Sequence, residues 1–357
     1  MSRVERKTRV ALIGAGMASA PHVASLRDLH EKVEVAWVVG RTPYRIGAVA
    51  TQLPGARTTT SLDHVLADAE VDAALVLTPP NTHLDIVSRL AAAGKHVLLE
   101  KPLEVDATQA ARVVDACRTH RVRLGVMLQH RVRAAAVAMK ELVAAGSLGE
   151  LTSASVDMRW WRPQSYYDEP GRGTRARDGG GVLLTQGIHT LDVYLWIVGA
   201  PSELVAFANT SAAHRMECED VVAAALRYAN GATASLNATV TAYPGFPERI
   251  DYNGTLGTAT LMGGQLDVRY LDGTAKTIGV AQTLGAGADP MAFPHDSHRE
   301  VIDDFVDAVR GDREPRIPGA SVLLVHRFID SLLESAATRR VLAFDAQQGT
   351  SPSTTVR

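Results

Sequence analysis

The feature that most limits how this chain can fold is a short apolar run that breaks on paired glycines. Arg9-Val10-Ala11-Leu12-Ile13 reads as a buried strand, Gly14-Ala15-Gly16 follows it directly, and a helical pattern then runs to about Leu29. A strand turning through G-x-G into a helix lets the backbone approach a pyrophosphate seated on the helix N-terminus. The third glycine of G-x-G-x-x-G is Ser19 here. The match is therefore incomplete, and a tight turn with no ligand would use the same two glycines. Its setting decides in favour of a dinucleotide, because the alternation continues. Strand patterns at Val33–Val39, Ala73–Leu77, His96–Leu99 and Leu124–Leu128 alternate with helical ones at Tyr44–Leu53, Leu84–Ala93 and Ala107–His120. That order predicts an α/β Rossmann domain, a parallel sheet with helices on both faces.

After about Gln129 the pattern changes. A helix at Val137–Ala145 precedes strand-like runs at Leu151–Arg159, Leu204–Thr210, Val221–Tyr228, Ala232–Val240, Arg249–Gly254 and Thr258–Met262. Turns such as Ala229-Asn230-Gly231 separate them, and helical patterns are confined to Leu183–Ile197, Arg299–Arg310 and Ser321–Ala337. This predicts an α+β domain with an open, mostly antiparallel sheet. At 357 residues one large α/β barrel is also conceivable, but the change of pattern selects two domains. The expected division is 1–129 for the dinucleotide-binding domain and 130–345 for the second, with a Ser/Thr/Pro-rich tail at 346–357 expected to be disordered.

Composition excludes several classes of function. Lys+Arg 37 against Asp+Glu 39 leaves a net charge of -2, without the basic excess that nucleic-acid binding needs. Two cysteines, Cys117 and Cys218, cannot build a disulfide framework or a zinc ribbon and fit a reducing compartment. The basic start, short apolar run and Ala18-Ser19-Ala20 mimic a secretory signal, but Gly14 and Gly16 interrupt an already short apolar segment. No membrane span is expected, and the chain reads as soluble and cytoplasmic.

The end of the second strand bears on which cofactor binds. An NAD site places Asp or Glu there for the adenosine ribose. This chain has Gly40-Arg41-Thr42, with Arg45 one turn on. No carboxylate repels a 2′-phosphate and Arg41 can bind one bidentately, so NADP is expected, with NAD second. Arg41 stacked on adenine would serve NAD equally.

Further along, Thr78-Pro79-Pro80-Asn81-Thr82-His83 precedes the strand that ends in Glu100-Lys101-Pro102. Gly179-Gly180-Gly181 then leads through Val182-Leu183-Leu184-Thr185-Gln186-Gly187 into Ile188-His189-Thr190-Leu191-Asp192, and Gly254-Thr255-Leu256-Gly257 follows later. With these motifs in this order the chain resembles the Gfo/Idh/MocA oxidoreductases from about Thr8 to Leu342. The resemblance implies NAD(P)-dependent oxidation or reduction of sugars, inositols and related polyols, in homodimers or homotetramers. It also implies that the second domain binds substrate and carries the subunit contacts. The cofactor site it implies comprises Gly14, Gly16, Met17, Ala18, Arg41, Thr42, Arg45, Thr78, Pro79, Asn81, His83, Glu100, Lys101 and Gln129.

Hydride removal from an alcohol requires a base near the hydroxyl and a cation for the developing alkoxide. Lys101, one of only six lysines, stands at the carboxyl end of a parallel strand, where open α/β sheets bind ligands. Pro102 biases it toward an extended conformation. An ordinary strand-end lysine is the plain alternative; the resemblance gives Lys101 contact with both cofactor and reacting hydroxyl. His189 and Asp192, three apart, share a helix face, and an imidazole can exchange a proton near neutral pH. The resemblance makes His189 the second catalytic group, with Asp192 and Gln186 on the substrate. Thr185 departs from the family, which often has Asp or Asn there; a threonine cannot take up a proton at neutral pH.

Trp160-Trp161-Arg162-Pro163-Gln164-Ser165-Tyr166-Tyr167 sets four aromatics within eight residues, and Arg172 follows. Aromatic faces beside guanidinium donors suit a sugar, so Trp161, Arg162, Tyr166 and Arg172 join the substrate candidates. A subunit contact is the competing use of such aromatics. Gly171 stands where relatives often have Trp, which bears on Arg172. His295-Asp296-Ser297-His298 offers too few ligands for a metal. It reads as a capped helix start, with His298 a candidate for the pocket lining, and no metal is expected. The expected function is hydride transfer between nicotinamide and a carbon of a sugar, inositol or related polyol, or its keto form. The alternatives are a non-catalytic NAD(P)/sugar-binding regulator, and a dihydrodiol or pigment reductase on the same scaffold.

Overall fold

Val10, Ala11 and Leu12, all buried, begin a six-stranded parallel sheet, their unbroken apolar run being what burial on both faces requires. In this computed structural model, which describes residues 6–16, 18–281 and 294–346, the strands are β1 (Thr8–Ile13), β2 (Val33–Val39), β3 (Arg57–Thr59), β4 (Ala73–Val76), β5 (His96–Glu100) and β6 (Leu124–Met127). Their order is β3-β2-β1-β4-β5-β6. Chain direction across the sheet therefore reverses between β1 and β4, and ligands of such sheets bind outside the carboxyl ends at that point. β3 is the strand that sequence patterning missed. Its three residues, Arg57-Thr58-Thr59, are polar and carry no apolar run.

The second sheet has nine strands: β7 (Leu151–Arg159), β8 (Glu203–Asn209), β9 (Val221–Arg227), β10 (Thr233–Thr239), β11 (Arg249–Gly254), β12 (Gly257–Met262), β13 (Gln265–Tyr270), β14 (Ala275–Gly279) and β15 (Leu342–Ala343). Their order is β14-β13-β12-β11-β7-β10-β9-β8-β15, antiparallel except where β10 runs parallel to β7. The alternation of Thr233 to Thr239 buries Ala234, Leu236 and Ala238 and exposes Thr233, Ser235 and Asn237, the signature of a sheet covered on one face. β13 to β15 were not expected from the sequence.

The chain divides into two compact units. One comprises Met1–Val132, Ala176–Gly179 and Asp289–Val322; the other comprises Arg133–Arg175, Gly180–Ala288 and Leu323–Arg357. The first unit thus takes back the helix Asp296–Arg310, which buries Val301, Ile302, Phe305 and Val306, and a single cut after residue 129 does not describe it. Most of the tail expected to be disordered, 347–357, lies outside the described residues, as does Met17. A 24-residue helical run, Arg175–Val198, is long and apolar enough to cross a bilayer. Most of it is buried inside the protein, as in the core helix of a globular chain.

Candidate active site

In the first unit the site begins at the carboxyl end of β1. Gly14 has φ +111°, and a Cβ there would lie 2.9 Å from the carbonyl carbon and oxygen of Leu77, the residue after β4. Only glycine admits this approach of the two strand ends. Among the described residues nothing lies within 4 Å of a Cβ added to Gly16. The helix Ser19–Asp28 follows, with no acid in its first turn and no side-chain cap, which leaves amides at its N-terminus for an anion. Ser19 replaces the third glycine without distortion, its hydroxyl donating to the Gly16 carbonyl at 2.7 Å. This donor set fits a dinucleotide pyrophosphate.

At the end of β2 the space beside Gly40 is filled by Ile46, whose Cγ2 would stand 2.8 Å from a Cβ there. Arg41, Thr42 and Arg45 are exposed. No described carboxylate pairs with either arginine.

The loops after β4 and β5 are tied together from beneath. His83 is fully buried, with Nε2 2.8 Å from the Thr78 carbonyl and Nδ1 3.0 and 3.2 Å from those of Pro102 and Leu103. Burial lowers its pKa, against the pull of those three carbonyls. The neutral ring that burial favours donates from one nitrogen, so it satisfies one side of this bridge at a time. His83 is accordingly corrected from a cofactor contact to a buried staple between two cofactor-side loops. Glu100 also has its carboxylate engaged within the first unit. Its Oε1 lies 2.6 Å from His22 Nε2 and its Oε2 accepts the Lys101 amide at 3.0 Å, so both oxygens are engaged inside the protein. Burial acts to raise its pKa, but the His22 hydrogen bond and the charges of His22, Lys101 and His298 outweigh burial and hold it below the usual value. Lys101 itself is half-buried at the end of β5. Asn81 donates to the Ala176 carbonyl at 2.9 Å, Thr82 ties Thr78 and Pro79 into a tight turn, and Gln129 is buried.

His22, Glu100 and His298 bring ligand-type atoms within 4.8 Å of one another. Two ligands on a tetrahedral zinc stand about 3.3 Å apart for bonds near 2.05 Å, whereas His22 and Glu100 are 2.6 Å apart, a charge-assisted hydrogen-bond distance. The cluster is a buttress under Lys101. His298, 3% exposed and edge-to-face on His22 at 5.3 Å, belongs to it. The helix behind it starts at Asp296 without a side-chain cap, and Asp296 pairs with Arg299 at 2.8 Å instead.

In the second unit, Gly181 opens a π-helical turn, Val182–Gly187, that runs into the helix Ile188–Val198. The wide turn replaces the regular helix expected from Leu183; such insertions recur at functional sites. It leaves His189 half-buried on the first turn of that helix and Asp192 at 2% exposure. Thr185 Oγ1 lies 2.6 Å from the Gly181 carbonyl and also against Gln186 Oε1, so its one proton is consumed locally. Trp161 pairs in a short bridge with Thr241, and Arg162 is buried, its Nη1 donating to the Trp161 carbonyl at 2.8 Å. Arg172 stacks 4.6 Å over the Tyr166 ring, donates to the Tyr166 hydroxyl at 3.1 Å and pairs with Glu169 at 3.2 Å. Each unit thus gathers its own share of the candidate residues. Sequence reasoning missed His22, His214, Glu219 and Asp220, which lack motif spacing and act through long-range partners.

A dinucleotide-binding sheet joined in one chain to a one-faced antiparallel sheet defines an NAD(P)-dependent oxidoreductase. Family models agree: residues 8–128 match the oxidoreductase family's NAD-binding Rossmann fold, and residues 136–260 match the GFO/IDH/MocA C-terminal domain. The chain belongs to the GFO/IDH/MocA family of dehydrogenases and reductases, whose members include sugar and inositol enzymes. It is 27% identical to a D-xylose 1-dehydrogenase (NADP(+)) of Haloferax volcanii, over 87% of this chain and 92% of that one. It is 26% identical to an inositol 2-dehydrogenase of Paenarthrobacter aurescens, over 93% and 98%. Among solved structures, the WlbA dehydrogenase of Bordetella pertussis, in complex with NADH and UDP-GlcNAcA, superposes with a TM-score of 0.82 at 30% identity, over 95% of this chain and 99% of that one.

Proposed function

We propose that the chain is an NADP-preferring dehydrogenase or reductase acting on a CH–OH carbon of a sugar, inositol or related cyclic polyol, or on its keto form. The observation that carries this reading is the placement of Lys101. It stands at the carboxyl end of a parallel strand, on a loop that His83, His22 and Glu100 hold from below. Bound nicotinamide dinucleotide supplies the hydride acceptor or donor. Lys101 offers its ammonium to the substrate oxygen and stabilises negative charge as the hydroxyl proton leaves. His189 takes or returns that proton, a role Thr185 cannot share. Asp192 and Gln186 orient further hydroxyls, while Trp161, Tyr166, Arg162 and Arg172 read the ring and its edge. NADP is preferred because Arg41 and Arg45 stand where an NAD site keeps a carboxylate. Both cysteines are buried and neither is in a disulfide, which supports a reducing cytoplasm as the place of action.

The test is a panel of inositols, aldoses, uronates and keto sugars followed at 340 nm with NADP(H) and NAD(H). Turnover of a member of the panel, faster with NADP(H), is expected. NADPH binding without turnover of any member would favour the regulator reading and overturn this one.

A further inference from the structure

Glu219 and Asp220 are adjacent carboxylates with no role assigned above, and both are buried, at 9% and 0% exposure. They lead into β9, where consecutive side chains point to opposite sides. Each therefore reaches a different part of the second unit. Glu219 faces the turn that carries His189. Its Oε2 accepts the Gly181 amide at 3.1 Å and its Oε1 the Leu183 amide at 3.2 Å, while its backbone oxygen accepts the Val182 amide at 2.8 Å. Three successive amides at the start of the turn thus end on one residue. The fit is tight enough to dictate sequence, since a Cβ on Gly181 would sit 1.8 Å from the Glu219 carbonyl oxygen.

Asp220 faces the other way. Its Oδ1 accepts the Ser211 amide at 2.7 Å, and its Oδ2 accepts the Ser211 hydroxyl at 2.7 Å and His214 Nδ1 at 2.8 Å. The second ring nitrogen of His214 lies 2.8 Å from the Arg162 carbonyl. That carbonyl lies next to Trp161, whose indole is 6.5 Å from the His214 ring, and Tyr167 packs on the same ring at 4.8 Å. His214 thus bridges the Asp220 carboxylate and the strand end that carries Trp161 and Arg162, one ring nitrogen at each.

We propose that Glu219 and Asp220 form a two-armed brace of positioning residues. One arm fixes the turn that presents His189. The other, through His214, fixes the Trp161–Arg162 segment, so that the proton-handling and sugar-reading groups of this unit keep a constant spacing. The proposal rests on the roles given above to His189, Trp161 and Arg162.

The arms predict different kinetic signatures. His214→Ala should raise KM for the sugar by about tenfold, the loss of one charge-assisted hydrogen bond, with a smaller change in kcat. His214→Gln, which keeps a donor for the Arg162 carbonyl, should recover part of that loss. Glu219→Gln should lower kcat more than it raises KM, because the turn that loses an acceptor carries His189. NADPH affinity, measured by fluorescence titration, should stay within about twofold of wild type throughout, confirming that each variant is folded. Amide exchange gives a readout that needs no substrate. His214→Ala should speed exchange at 160–162 and not at 181–183, and Glu219→Gln should do the reverse. Equal changes in kcat and KM across the variants, no rescue by glutamine, or exchange that rises at both places in every variant would overturn the brace. A wild-type protein that turns over no sugar would instead overturn the functional reading, and the exchange pattern would still decide the brace.

Discussion

Replacing Arg41 by alanine isolates the phosphate assignment from every other feature of the cofactor site. Arg41 is exposed at the end of β2, so its removal leaves no cavity and strands no buried partner. A guanidinium donating to a phosphate dianion makes charge-assisted hydrogen bonds worth about 1.5–3 kcal/mol when well formed, and solvent screening at an exposed site reduces that to about 1–2 kcal/mol. NADPH affinity should therefore fall by about fivefold to thirtyfold. NADH has no 2′-phosphate and should bind the variant within about twofold of wild type. The assay is fluorescence titration of both reduced cofactors with wild type, Arg41→Ala, and the double variant that also carries Arg45→Ala. Repetition in added salt should shrink the wild-type preference, since an exposed contact is screened. Two outcomes refute the reasoning. Equal losses for both cofactors mean that Arg41 stacks on adenine; no loss for either means that the phosphate is read elsewhere or not at all.

Other perturbations probe the remaining groups. Lys101→Met should lower kcat by about a hundredfold or more while NADPH still binds, and near wild-type turnover on the true substrate would remove Lys101 from the mechanism. Gly16→Val should weaken both cofactors alike and leave Tm within a few degrees, because among the described residues nothing lies within 4 Å of a Cβ there; a large drop in Tm would contradict that geometry. Gly181→Ala should destabilise severely, since the added carbon would overlap the Glu219 carbonyl, and a Tm equal to wild type would show that the turn relaxes at little cost. The pH dependence follows from His83 and Glu100, whose pKa values are both lowered by folding. For such groups the unfolded chain binds more protons, so stability is complete above the unfolded pKa and is lost as pH falls toward the folded one. His83 contributes to loss beginning below 6.5, and Glu100 below 4.5, their ordinary values. His83→Gln should therefore flatten the fall of Tm between pH 7 and pH 5, and an unchanged slope would exclude His83 as its source.

How far the sequence discloses this molecule depends on the reach of each interaction. Strands β1, β2, β4, β5 and β6 were legible because burial on both faces requires continuous apolar runs, such as Val97-Leu98-Leu99. β3 was not, since the edge position it occupies beside β2 makes no demand for an apolar segment. Gly14 could be read as a cofactor glycine because the chemistry lies within a few residues of the chain. Glu100 was recognisable as part of a motif, but its side-chain partner His22, 78 residues away, was not. The same holds for Asp220, which meets His214 six residues earlier, while the strand end they secure at Arg162 lies 52 residues from the histidine. A motif therefore identifies the residues placed near the chemistry, and the residues that hold them there are disclosed only by the fold. That division explains why His83 looked like a cofactor ligand. It sits within a motif, but full burial and engaged ring nitrogens turn it inward. The exposed Arg41, for which no carboxylate partner is described, remains among the groups that a ligand can reach.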